Sequence, residues 1–380
     1  MKLNIAVAAL CCSASAAFAG GFERSGMPLG FMFETGSYVE LSYGYASPTV
    51  SGSTIVPLGG GLIPAGTPSG NMSKAYSSVS LSFKTDLNDR TSVGIILDPS
   101  YGADLNYPNP SPGPNLYPIR GTNAELNGDT IALIGRYKLT DQISVLAGLR
   151  SVGIGGNVEV WSGGSLAYAA SYDTDRDIGY LIGAAYEKPE IALRVALTYA
   201  SETKHDLAAS VFGSPVGSET VELQKSVTLD AQSGIAANTL LFGSVRWVDW
   251  TSTTLNSIGY PFAPLVSHDN DTITYTLGVG RKFTDNWSGA VSVGYEKPAG
   301  GLASNLAPTD GFLSLGVGGS YTQGNMKISG GVRYVKIGDA TALSGASEFT
   351  DNSAVGVGVK VGWTSDPSRP RSICGAEFFA

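Results

Sequence analysis

From Tyr38 onward the chain repeats one grammar, in which stretches of roughly ten residues alternate apolar with small or polar side chains and then close in a turn or loop. In Thr272 to Phe283, Ile273, Tyr275, Leu277 and Val279 share one face, and Thr272, Thr274, Thr276, Gly278, Gly280 and Lys282 share the other. In Ala354 to Trp363, Val355, Val357, Val359, Val361 and Trp363 oppose Ala354, Gly356, Gly358, Lys360 and Gly362. A period of two means strand, because successive side chains of an extended backbone point to opposite sides. The pattern places strands near 38–48, 74–86, 91–101, 128–139, 143–161, 173–186, 191–207, 219–230, 239–253, 271–283, 287–296, 311–321, 326–338 and 353–363, about fourteen in all.

The connections come in two kinds. Asn88-Asp89, Thr140 to Gln142, Lys188 to Glu190, Thr284 to Asn286 and Thr322 to Asn325 are tight and rich in turn formers. They alternate with longer Gly/Pro/Ser-rich loops near 49–73, 102–127, 254–270, 297–310 and 339–352. A secreted soluble sandwich permits the alternation but does not require this sidedness. An antiparallel barrel that crosses a membrane does, with short turns at one end and long loops at the other. Aromatics near the expected strand ends, among them Tyr45, Tyr137, Trp161, Tyr186, Tyr199, Trp247, Trp250, Trp287, Tyr321 and Trp363, fit interfacial girdles. Charged residues are 15% of the chain against about 25% in soluble domains, so much of the surface faces something other than water. A net charge of −8 argues against nucleic acid, whose binders need a basic face. The fold class expected is therefore all-β, a transmembrane antiparallel β-barrel of about fourteen strands.

Lys2, the apolar run Ile5 to Cys12 and Ala17-Phe18-Ala19 read as a signal peptide over 1–19, cut before Gly20. Residues 20–37, with the apolar stretch Phe22 to Phe33, form a short plug-like segment in this reading. The barrel covers 38–363, and 364–380 form a periplasmic tail. Removing the leader takes two of the three cysteines and leaves Cys374 alone, so no intramolecular disulfide and no cysteine metal cluster is expected. Neither a metal nor a cofactor is expected.

Several segments resemble the FadL-type outer-membrane transporters of long-chain fatty acids and other hydrophobic compounds. They are Tyr186 to Leu207 (YEKPEIALRVALTYASETKHDL), Thr272 to Leu315 with its order YTLGVGRKFTDNWSGAVSVGYEK then PTDGFLSLGVG, Gly135 to Leu149 (GRYKLTDQISVLAGL) and Arg246 to Thr251 (RWVDWT). The resemblance implies a monomeric fourteen-stranded barrel in the outer membrane of a Gram-negative bacterium, in contact with outer-membrane lipid and lipopolysaccharide. It further implies capture of cargo among external loops, an internal site, and lateral exit by diffusion through a kinked third strand. Asp98-Pro99-Ser100-Tyr101-Gly102 lies where the family's kink occurs. Pro99 removes a ladder donor and Gly102 tolerates a bulge, so both are candidate kink residues, the alternative being that Pro99 merely ends the strand at the loop. The family's hatch is longer and carries an Asn-Pro-Ala motif that is absent here, which puts hatch gating in doubt.

Apolar side chains in the loops mark candidate cargo contacts, Leu58, Leu62, Ile63, Leu105, Tyr107, Leu116 and Tyr117, or else pack on each other under a loop cap. Arg120, Lys204 and Arg246 are candidate partners for a fatty-acid carboxylate. The partners expected are hydrophobic small molecules, fatty acids or aromatic hydrocarbons. On the face opposite the lipid, Glu40, Lys84, Arg136, Lys138, Arg194, Lys282 and Lys360 are read as lumen residues. Only His205 and His268 are available for acid–base catalysis, and neither adjoins a nucleophile motif, so no catalytic residues are assigned and an enzyme is not expected. A general porin for small polar solutes and a surface adhesin or structural barrel are the alternatives.

Overall fold

The computed structural model describes residues 22–108, 116–261 and 264–365. The expected leader, the tail from residue 366 with Cys374, and part of the loop near 102–127 lie outside them.

Sixteen ladder segments form one sheet that closes on itself, and two pairs of segments are halves of interrupted strands, which leaves fourteen. In chain order they are β1 Ser37–Thr49, β2 Tyr76–Asp86, β3 Thr91–Asn106, β4 Asn123–Lys138, β5 Ile143–Ser162, β6 Ser165–Lys188, and β7 Leu193–Ala200 with Thr203–Val211. They continue as β8 Ser214–Leu223 with Ser226–Ala236, β9 Thr239–Val248, β10 Thr272–Lys282, β11 Trp287–Glu296, β12 Phe312–Gln323, β13 Met326–Ile337 and β14 Ser353–Ser365. All neighbours are antiparallel, and β1 zips to β14 from Ser37↔Ser365 to Thr49↔Ser353. Closure is what hydrocarbon demands, since each unpaired N–H or C=O of an open edge would cost several kcal/mol there. Among the described residues no helix is long and apolar enough to cross a membrane.

The outer face carries the apolar set read from the sequence. Leu41, Leu133, Leu277 and Val317 are between 51% and 61% exposed, which suits lipid rather than water. Tyr137, Tyr186, Trp287 and Trp363 are exposed at strand ends. One expected girdle residue turns inward instead: Trp250 is buried, edge-on to Phe22 at 5.5 Å. Trp161 is half-buried and packs against Gly121.

Several boundaries also shift. The third strand continues past Pro99 to Asn106, and the fourth begins at Asn123, so the loop between them is shorter than 102–127. The β5–β6 and β7–β8 connections at the long-loop end are two-residue turns, Gly163-Gly164 and Phe212-Gly213. There the strands themselves project: β5 has 20 residues and β6 has 24. The strand expected over 191–207 is broken at Ser201-Glu202, and its neighbour is broken at Gln224-Lys225.

The lumen is filled at both levels. Nearer the long loops, Val152, Ile154, Val158, Tyr168, Leu207 and Leu223 form an apolar cluster with Leu265. Nearer the short turns, Ile96, Ala132, Ile134, Leu146, Leu181 and Ala196 point inward and pack on Met27, Phe31 and Met32 of the N-terminal segment.

Candidate functional site

The β2–β3 ladder pairs Asp86↔Ser92 through Leu81↔Leu97 and then stops. It resumes as a single bridge, Ser73↔Leu105, supported by Lys74 N–H donating to Asp104 O at 3.1 Å and by the Lys74–Asp104 ion pair. Ser73 and Leu105 lie eight residues beyond Leu81 and Leu97 on their respective strands, so the register has not slipped; the strands have separated locally.

The cause sits in β3. Asp98 faces Thr130 and Tyr101 faces Gly128, so β3 spends one more residue than β4 across this interval. Such a bulge bends the strand and strengthens its twist. Pro99 lies within the bulge and has no N–H to offer β2. The register shift takes in Pro99 and Ser100 beside the interruption in the wall, whereas Gly102 lies past it and pairs regularly with Asn127.

The N-terminal segment occupies the edge that β2 gives up. Arg24 and Ser25 N–H donate to Ser100 O at 2.7 and 3.2 Å, and Gly102 N–H donates to Phe22 O at 2.8 Å. Glu23 bridges to Tyr101 in the antiparallel sense. The Arg24 guanidinium lies over the Tyr76 ring, 4.2 Å from its centroid, reaching across to β2. A Cβ on Gly102 would meet that guanidinium, which would have to shift to admit a side chain.

Further along, the segment is clamped into the lumen. Glu23 pairs with Arg246 of β9 at 2.6 Å, and Arg246 also donates to Thr228 Oγ1 at 2.9 Å. Residues Gly30–Phe33 make a 3₁₀ turn that buries Phe31 and Met32. Gly94 of β3 leaves room for them, since its Cβ would fall on Met32 Sδ. The Phe33 ring sits beside two guanidinium groups, Arg136 at 4.5 Å and Arg194 at 4.6 Å. The fully buried Lys84 ammonium donates to Glu34 O and Gly36 O.

Where the ladder is open, a small cleft forms. It is lined by Ser42 from β1, Ser78 and Ser80 from β2, Asp98 and Pro99 from β3, and Ser25 from the N-terminal segment. Asp98 is buried and accepts from Ser100 Oγ at 2.9 Å. The sequence reading singled out Pro99 and Gly102 but not these hydroxyls. Their signal was available in the parity of β2 and β3, which puts Ser78, Ser80 and Asp98 on the lumen side while Val79, Leu81 and Leu97 face lipid.

The other candidates lie in separate places. Leu105, Tyr107 and Tyr117 come together, buried in a cap with Phe312, Val335, Ile337 and Phe349; the Tyr107 and Tyr117 rings stack at 5.6 Å. Leu116 is half-buried beside them in sequence. Leu58 and Ile63 pair through their backbones at a loop tip, where Leu62 is 79% exposed. Arg120 donates to Tyr117 O and Gly163 O within the cap. The Lys204 side chain is exposed, and its N–H donates to Asp177. Arg246 alone of the three expected cations reaches the lumen segment.

The two histidines are apart in role. His205 is buried on Thr203 Oγ1 at 2.9 Å; the His268 ring packs tilted against Trp250 at 4.9 Å, and burial in that loop lowers the His268 pKa to about 4. Among the described residues no group of three or more His, Cys, Asp or Glu is arranged to hold a metal.

The closed fourteen-stranded barrel with an N-terminal segment in its lumen shares its fold with solved FadL-type structures. It is similar to the crystal structure of a Pseudomonas aeruginosa FadL homologue, with a TM-score of 0.70 and 13% identity over 88% of this chain and 92% of that one. It is also similar to the Pseudomonas putida toluene transporter TodX (TM-score 0.64, 13% identity, 93% and 97% covered). The Ralstonia pickettii toluene transporter TbuX gives a TM-score of 0.60 at 14% identity, with 93% and 98% covered. No protein-family model and no curated protein matches the sequence.

Proposed function

We propose that this chain lets hydrophobic small molecules cross the outer membrane of a Gram-negative bacterium by passive diffusion, with exit through the side of the barrel between β2 and β3. The observation that carries the reading is the open ladder between Leu81/Leu97 and Ser73/Leu105, where β3 bulges at Pro99 and the N-terminal segment takes the freed edge, in a wall whose outer face is apolar. An apolar molecule that leaves sideways enters lipid directly and avoids re-exposure to water, which would cost about 0.8 kcal/mol per CH₂. The solved neighbours include toluene transporters, and the apolar cargo named for them suits the same route. Long-chain fatty acids, which the sequence resemblance favours, belong to the same class of cargo.

At the long-loop end Ile55, Val56, Leu62, Ile258 and Leu302 are exposed, and apolar side chains in water mark a place of capture. The segment at 22–36 acts as the plug, sealing the lumen against ions while its backbone holds the β3 edge. The barrel works as a monomer, its outer band in contact with lipid and lipopolysaccharide.

Deleting Pro99 tests this. One residue fewer makes the β3–β4 register continuous and removes the bulge that bends β3 beside the opening. Uptake of a radiolabelled hydrophobic compound by cells expressing the variant is expected to fall to the level of cells without the barrel, with surface amount unchanged. Undiminished uptake would overturn the lateral route.

A further inference from the structure

The cleft at the wall break is oddly polar for an exit used by oily molecules. Four serines, Ser25, Ser42, Ser78 and Ser80, and one carboxylate, Asp98, line it together with Pro99. Ser42 is 7% exposed and Ser78 and Ser80 are half-buried, and all three line the cleft. Hydroxyls that line a cleft suit a molecule able to exchange hydrogen bonds with them, since each both donates and accepts.

The donors and acceptors present say what that molecule is. Asp98 accepts from Ser100 Oγ at 2.9 Å, and the Ser25 hydroxyl is within reach, but a carboxylate has about four lone-pair positions to fill. It has acceptor capacity left and nothing to donate. Serine hydroxyls donate and accept in turn. No lining residue carries positive charge. Of the nearby guanidinium groups, Arg246 is held by Glu23 and Arg24 lies over Tyr76. An incoming carboxylate would meet Asp98 with no compensating cation, whereas an alcohol or phenol would donate to Asp98 and accept from a serine.

We propose that the β2–β3 cleft selects uncharged apolar molecules that carry a hydroxyl group, phenols and aliphatic alcohols, over their carboxylate and unsubstituted counterparts. This rests on the reading that hydrophobic molecules leave through that break. It assigns Asp98 as the hydroxyl acceptor and Ser42, Ser78 and Ser80 as the groups that return the bond.

The test uses the full chain in lipid nanodiscs, with p-cresol, toluene and p-toluate titrated by ligand-observed NMR. These probes share one apolar body and differ in a hydroxyl, a hydrogen and a carboxylate. The expected result is p-cresol binding at least tenfold tighter than either of the others. Replacing Ser42, Ser78 and Ser80 together by alanine is expected to bring p-cresol down to the toluene level without weakening toluene. Asp98→Asn, which keeps an acceptor but removes the charge, is expected to retain p-cresol and to tighten p-toluate severalfold. Heat-shifted electrophoretic mobility checks that each variant keeps its barrel. Equal binding of p-cresol and toluene, or p-toluate bound as tightly as p-cresol, overturns the hydroxyl preference and leaves the transport reading standing. Binding of none of the three by a folded barrel overturns both.

Discussion

Phe31→Ala provides the sharpest handle on the N-terminal segment. Phe31 is 4% exposed, packed with Met32 against the inward-facing residues Ile96, Ile134, Leu146 and Leu181. Removing a buried phenylalanine costs about 3–5 kcal/mol, and the lower end applies where water can refill part of the space. The barrel wall keeps its own ladder, so the loss falls on docking of the segment and not on the cylinder. At about 1.4 kcal/mol per factor of ten, a loss of about 3 kcal/mol raises the undocked fraction roughly a hundredfold.

Amide hydrogen exchange reads that fraction directly when opening is fast relative to exchange. The reporters are Arg24, Ser25 and Gly102, whose N–H groups bond across the docked segment, and Gly36, which donates to Asp86 Oδ2 at 2.8 Å. These are expected to exchange roughly a hundredfold faster in the variant. Amides of the β1–β14 ladder are expected to keep their rates. Unchanged exchange at Arg24 and Gly36, or an equal acceleration of the β1–β14 ladder, would refute the idea that the segment docks as a separable unit on an independent wall.

Three further outcomes follow from the same contacts. Gly94→Val puts a side chain where Met32 Sδ lies, so the turn at Gly30–Phe33 is displaced and ionic conductance in planar bilayers rises above that of the parent; equal conductance would contradict a sealing role. Arg246→Ala leaves the buried Glu23 carboxylate without its ion pair, a loss of about 3 kcal/mol by comparison with other buried pairs, and exchange at Arg24 accelerates more than exchange at Gly36. His268 has its protonated form disfavoured by burial, with its value lowered to about 4, so the loop around it gains nothing above pH 6.5 and is destabilised as pH falls from 6.5 towards 4. Protease nicking of residues 254–261 is therefore expected to increase between pH 7.5 and 5, and His268→Phe is expected to abolish that dependence.

What was legible in the sequence is what period two encodes. Leu277 and Val279 outward, Gly278 and Gly280 inward, needed no tertiary knowledge, because a strand in a wall with lipid on one side has only two environments. Pro99 announced the break in β3 for a local reason, its missing N–H. The cap was legible only in half. That Leu105, Tyr107 and Tyr117 could pack together under a loop cap stood open in the sequence, but Phe312, Val335 and Phe349, far along the chain, as its other half did not.

Nor was the partner of Arg246 legible, since Glu23 lies 223 residues away and only barrel closure brings the two together. The breaks at Ser201-Glu202 and Gln224-Lys225 left no mark, because both halves of each strand keep a strand-like composition. In β2, Ser78 and Ser80 read as ordinary lumen residues; only the separation of β2 from β3 makes them the lining of a cleft.

Catching a cargo molecule in passage tests the side exit most directly. A diazirine-bearing alkylbenzene, photolysed with the full chain in lipid and mapped by peptide mass spectrometry, is expected to leave its adducts on residues 76–80 of β2 and 98–102 of β3. Adducts confined to the short-turn end of the lumen, around Phe33, Arg136 and Arg194, would mean that cargo runs the length of the cylinder and that the break in its wall is not the way out.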